Sequence, residues 1–160
     1  MDAQRRGQIA ELGRRMLPEL HQAVIDSWSD LLPAAADWSA DGLRRARRAA
    51  RAALEGILVT IEQGGVEDRA WKRLRGDVLG HGQLSRDEVE ELLRSVRIVG
   101  MDALADRLSA TIGLSHDERW QLQREASGFC EDLLGTRDEL DPGAYQAMLA
   151  ELLRSGPDLR

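Results

Sequence analysis

The sequence predicts an all-α fold: a single bundle of six or seven helices with one central buried helix. Apolar residues recur at helical spacing along nearly the whole chain, and no segment alternates apolar and polar long enough to argue a strand. Prolines, glycines and capping residues divide that pattern into helix-sized pieces. Residues 86 to 112, unlike the other pieces, are apolar on both sides at mid-length. With 160 residues, 42% of them hydrophobic, the chain is long enough for one domain with a sizeable core.

Taken in order, the first helical region covers roughly residues 3 to 32. Pro18 divides it, because proline has no N–H for the ladder and clashes with the preceding turn. Leu20, Val24, Ile25, Trp28 and Leu31/Leu32 form the apolar face of its second piece, and Pro33 ends it. Ser39 is the N-cap of the next helix, with Asp41 in the first turn where a negative charge suits the dipole. Leu43, Ala46, Ala50, Leu54, Ile57 and Ile61 mark its buried side, and Gly64-Gly65 stops it. A shorter helix runs from about Glu67 to Leu79 with Trp71, Leu74 and Val78 inward, followed by a loop at "GHG", 80 to 82. Ser85 and Glu88 form a capping-box pattern before residues 86 to 112, and Gly113 closes that helix. Ser115 and Glu118 repeat the box and open a helix carrying Trp120, Ala126, Phe129, Leu133 and Leu134, which Gly135 ends. Asp141-Pro142 starts a last helix bearing Tyr145, Met148, Leu149 and Leu152.

The 86 to 112 segment holds the oddest local chemistry. At a turn of roughly 100° per residue, Val89, Leu93, Val96, Gly100, Ala103 and Leu104 share one stripe, and Ile98, Met101, Ala105 and Ile112 fall on the other side. A helix apolar on both sides is expected to be enclosed by neighbours. Gly100 costs about 1 kcal/mol of helix propensity relative to alanine, which close approach of a crossing helix would offset. Arg97 lies at the edge of the main stripe. Its stem can pack while the guanidinium finds a carboxylate, with Glu90 the favoured internal partner, or an anionic ligand.

The run "LRGDVLGHGQLSRDEVEELLRSVRIVGMDAL", with "ELLR-x-x-R-I-x-G" at its heart, resembles the RsbRD N-terminal family. Where Val96 stands, the family's usual form has an aromatic, followed by Arg97, Ile98 and Gly100. The likeness extends over about residues 10 to 135. It implies an all-α sensory domain found in stressosome-related co-antagonists and ahead of PucR-type transcription regulators. Related modules are haem-free, globin-like dimers, so a globin-like bundle is one form the fold can take. The resemblance supplies no catalytic residue. It implies a sensory/regulatory domain over 1–140 and, over 141–160, a connector to an absent output domain; the chain is then either a piece of a longer regulator, the favoured case, or a domain that acts alone. Tyr145, Met148, Leu149 and Leu152 would supply dimer or linker contacts.

Composition narrows the function classes. Formal net charge is −6, from 28 acidic and 22 basic residues, which disfavours non-specific attraction to nucleic acid or anionic membrane. The start has no signal-peptide-like run and no later stretch approaches a membrane span, so the chain reads as cytoplasmic. The single cysteine, Cys130, makes no intrachain disulfide and has no His or Asn arranged near it, so it reads as core. Phosphate-loop glycines, a Ser-centred elbow, HExxH and Cys pairs are all missing from the sequence. The reading is therefore non-enzymatic, without catalytic residues, metal or cofactor.

Three further groups are candidate sites. Arg97, Arg94, Glu90 and the loop residue His81 make a possible ligand or ion-pair site. Trp28, Trp71 and Trp120, read as core, would with Met101 line any cavity the bundle leaves. Arg44, Arg48 and Arg51 share a helix face that could meet an anion, a protein partner or phosphates. Trp38 precedes the Ser39 cap and is placed to staple onto Leu43. Three functions fit: a dimerising sensor that relays a signal to an output domain, a nucleic-acid module using the arginine helix, and a haem or small-ligand carrier.

Overall fold

A computed structural model describes residues 1–79 and 84–135. Among these residues the fold is all-α with no strand. The chain divides into two compact units, Met1–Cys130 and Glu131–Arg160. His81, the expected boundary near residue 140, and the helix with Tyr145, Met148, Leu149 and Leu152 lie outside the described residues.

Helix α1 (Ala3–Arg15) is capped by Asp2, whose carboxylate accepts the Arg5 N–H at 2.8 Å. The break falls at Met16, and α2 (Leu17–Asp26) carries Pro18 within its first turn, where the missing N–H costs nothing. A single turn, α3 (Trp28–Leu31), then leads into a 3₁₀ turn opened by Pro33. Helix α4 (Ala40–Gln63) begins as its sequence signals, with Ser39 Oγ accepting the Gly42 N–H at 3.0 Å, and ends at Gly64, which adopts φ 77°. After it come α5 (Asp68–Leu79) and α6 (Arg86–Ser95). The capping box of α6 closes in both directions, Ser85 Oγ to the Glu88 N–H and Glu88 Oε1 to the Ser85 N–H, each at 3.1 Å. The second box, Ser115 with Glu118, opens α8 (His116–Leu133) in the same manner.

Helix α4 is the hub on which α1, α2, α5 and α6 pack. Its buried side is a row of small residues, Ala46, Ala49, Ala50 and Ala53, continued by Leu54, Ile57, Leu58 and Ile61. The small side chains let neighbouring backbones come close. A Cβ at Gly13 on α1 would stand 2.4 Å from Leu58 Cδ2, so α1 lies directly against α4 there.

The segment expected as one straight helix is interrupted. Residues Val96–Gly100 form a turn of π-helix between α6 and α7 (Met101–Thr111). The buried residues of the whole rod are Val89, Leu92, Leu93, Ser95, Val96, Gly100, Met101, Leu104, Ala105 and Leu108. From Val89 to Leu108 is 19 steps, one more than five regular turns at about 3.6 residues each. The π turn absorbs that extra residue and keeps the faces of α6 and α7 in line. This corrects the expected two-sided pattern. Met101 and Ala105 belong to the buried stripe, Ala103 moves to its edge, and Ile98 is pushed out to 37% exposure. The rod is accordingly buried on one face and open along the other, where Glu90, Glu91, Arg94, Ile98 and Asp102 are exposed. Gly100 serves as expected, since a Cβ there would meet Leu54 Cδ2 of α4 at 2.9 Å and Val24 Cγ2 of α2 at 3.4 Å.

Candidate functional site

The π turn and the side chains that frame it form the most unusual local arrangement. Just before it, Ser95 is a polar side chain only 1% exposed. Its hydroxyl donates to the Leu92 carbonyl at 2.6 Å and accepts the Trp28 Nε1–H at 2.9 Å, so it is satisfied in both roles. At the other end of α6, the Trp38 indole N–H donates to Glu88 Oε2. The two indoles meet edge to face, with ring centroids 5.9 Å apart. Hydrogen bonds from the Ser85 backbone and then from Trp38 hold the Glu88 carboxyl below its usual range. Helix α6 is thus held at both ends by tryptophans of the α2–α4 connection. Helix α7 is anchored by its buried face of Met101, Leu104, Ala105 and Leu108, and its ion pairs, Arg119–Asp106 at 2.7 Å and Arg107–Glu19 at 3.7 Å, join well-exposed side chains.

Arg97 lies in the π turn and is half-buried. Among the described residues it makes no ion pair, and neither do Arg94 or Glu90; the expected Arg97–Glu90 bridge is not formed. Arg97 stands seven residues on from Glu90, about 10 Å along the helix axis, a span the two side chains do not close.

The aromatic expectations divide. Trp28 and Met101 are buried, at 3% and 1% exposure, and Trp71 is half-buried edge-on to Phe129 with centroids 5.7 Å apart. Trp120 is 64% exposed and is not core. The buried face of α8 runs through Leu122, Ala126, Phe129 and Cys130, and Trp120 is two residues from Leu122, roughly 160° round the helix. A groove of about 160 Å³ lies between α4 and α5, with Ala52, Val59, Val66, Ala70 and Leu74 as its apolar lining and Glu55, Arg73 and Asp77 as its polar one; none of Trp28, Trp71, Trp120 and Met101 lines it. Trp38, expected to staple onto Leu43, engages Trp28 and Glu88.

On α4, Arg44 and Arg45 both reach Asp41, the latter at 3.0 Å, and Arg51 reaches Glu55 at 3.3 Å. Arg47 and Arg48 are exposed and make no ion pair among the described residues. His21 Nε2 lies 2.8 Å from the Arg47 carbonyl, a tie between α2 and α4. Cys130 is buried with its Sγ 3.9 Å from the Leu93 carbonyl. Among the described residues, no group of three His, Cys, Asp or Glu side chains could hold a metal, and no helix is long and apolar enough to cross a membrane.

Sequence reasoning missed the π turn and the Trp28–Ser95 bond. The signal for the first is not local: Met101, Ala105 and Leu108 come into line with Val89 only if one residue is set aside between them, which shows once both faces are known to be buried. Set against protein-family models, curated proteins and solved structures, the chain finds no match in any of the three. The resemblance to the RsbRD N-terminal family therefore rests on the quoted residues alone.

Proposed function

We propose that this chain is a non-catalytic sensory or regulatory domain. It works as a homodimer and relays a signal to an output domain through a change in helix packing at the π turn. The observation that carries this reading is the contrast across residues 96 to 100. Helix α6 is fixed by indole hydrogen bonds at both ends, whereas α7 is held by its apolar face and by ion pairs that are exposed. Single π turns inside α-helices are concentrated at functional positions, because one surplus residue can sit in more than one place. Passing it along the rod turns one part against the other without breaking the core. Arg97 and Ile98, half-buried and exposed on that turn, are where an effector or partner would bias the two arrangements. The arginine helix supports a nucleic-acid reading less well, since Arg44 and Arg51 already have carboxylate neighbours in a chain of net charge −6.

Amide relaxation dispersion, combined with sedimentation mass, tests this. Millisecond exchange at residues 95 to 101, lost when Ile98 is deleted, is the expected result in a dimeric protein. A rigid π turn in a chain that stays monomeric at high concentration would sink the proposal.

A further inference from the structure

We infer that the dimer forms by exchange of two oppositely charged helix faces, the arginine side of α4 in one copy seating on the acidic side of α6 and α7 in the other. This rests on the homodimer reading above and assigns it a surface. The first face carries Arg44, Arg45, Arg47, Arg48 and Arg51 against only Asp41 and Glu55, a local excess of positive charge in an acidic chain. The second carries Asp87, Glu90, Glu91 and Asp102 against Arg94. All of the second set are exposed, and so are Arg44, Arg47, Arg48 and Arg51.

Helix α4 packs beside α6 and the π turn within the protomer. Yet among the described residues Arg44, Arg47, Arg48 and Arg51 make no ion pair with any of these acidic side chains, and Arg47, Arg48, Asp87, Glu90, Glu91 and Asp102 make no ion pair. Complementary faces on adjoining elements suit a two-fold axis. Rotating one copy by half a turn sets each basic face on the other copy's acidic one, twice over. Ile98, 37% exposed between Arg94 and Asp102, gives the acidic face an apolar point that such a contact would cover. Charge steers and registers an interface of this kind, and a like-charge juxtaposition opposes it strongly. The second copy is preferred to nucleic acid because the complementary surface is on the chain itself.

Sedimentation equilibrium of the full chain at low and high salt, with two charge-reversed variants, tests the assignment. Arg47→Glu/Arg48→Glu reverses one face and Glu90→Arg/Glu91→Arg the other; every substituted side chain is exposed, and thermal unfolding checks that each variant folds. Salt should weaken the wild-type dimer, and each variant alone should dissociate about tenfold more readily or worse. An equimolar mixture of the two should recover association, because each then offers the other a matched pair of faces. If both variants dimerise as tightly as wild type, the faces are wrong and the regulatory reading stands on another interface. If the wild type is monomeric throughout, dimerisation itself fails and takes this inference with it. Salt-sensitive binding of a duplex oligonucleotide through Arg47 and Arg48, without self-association, would overturn it in favour of nucleic acid.

Discussion

At the scale of single residues, the glycines show how the same substitution changes sign with its surroundings. Gly56 on α4 faces Phe129 and Leu74: a Cβ would stand 2.4 Å from Phe129 Cζ, 2.7 Å from its Cε2 and 2.8 Å from Leu74 Cδ1. A buried aromatic ring cannot flex away as a side-chain tip does. Alanine would gain about 1 kcal/mol of helix propensity and lose about 1–3 kcal/mol to overpacking, so Gly56→Ala should destabilise. Gly76 in α5 has nothing within 4 Å of its Cβ position. Gly76→Ala should stabilise by about 0.5–1 kcal/mol. Urea unfolding of the two variants checks both signs, and a stabilised Gly56→Ala would show that α5 and α8 sit farther from α4. Residue-level reading from sequence succeeded where local chemistry decides, as at Ser39, Gly64 and Gly100. It failed at Trp120, where hydrophobicity was read without the phase that Leu122, Ala126 and Phe129 set.

The element that decides the functional reading is the interrupted rod of α6, π turn and α7. Its caps were legible because a capping box is local in sequence. The π turn was not, because a regular rotation was assumed across residues 86 to 112 and a surplus residue shows only when both flanking faces are known to be buried together. Removing the surplus tests this account. With Ile98 deleted, Gly100, Met101, Leu104, Ala105 and Leu108 each move one position closer to Val96, and the buried pattern becomes that of an unbroken α-helix. The loss is a side chain already 37% exposed, and the gain is regular hydrogen bonding. The deletion should fold with stability equal to or above wild type by denaturant titration. Deleting the fully buried Leu104 instead removes a core side chain and shifts the phase of the rest of α7, at a cost of several kcal/mol, about the range of large core truncations. If the Ile98 deletion unfolds the protein as the Leu104 deletion does, the π turn is not a one-residue insertion between two phased helices.

At the scale of the whole first unit, α1 is clamped across its neighbours by arginines the sequence could count but not pair. Arg14 meets Glu62 of α4 through two contacts, at 2.7 and 3.0 Å. Arg6 bridges the Ile61 carbonyl at 2.8 Å and Glu125 of α8 at 2.7 Å. Arg5 holds Glu118 at 2.7 and 3.2 Å and the Gly113 carbonyl at 2.6 Å, so the N-cap of α8 depends on the first turns of the chain. The Arg5 hydrogen bond, followed by the Ser115 backbone N–H, lowers the Glu118 carboxyl to about 2, and Arg14 lowers Glu62 in the same direction. A carboxyl whose folded pKa lies below its unfolded value of about 4.3 stabilises the fold above that value and loses the contribution as pH falls toward the folded one. Stability should therefore be flat with respect to these groups from pH 7 to about 5 and decline steadily below about 4.5. Glu118→Gln keeps an oxygen for the Ser115 N–H but gives up the charge. It should lower the neutral-pH plateau by about 1 kcal/mol or less, in the range of partly exposed pairs, and make the acid decline shallower. Arg5→Gln should shift the plateau and the acid decline in the same directions, and the double variant should cost less than the two singles summed, because both remove one interaction. Urea midpoints of the four proteins between pH 7 and pH 3 decide it, and an acid decline equally steep in all four would place the acid sensitivity outside the α1–α8 clamp.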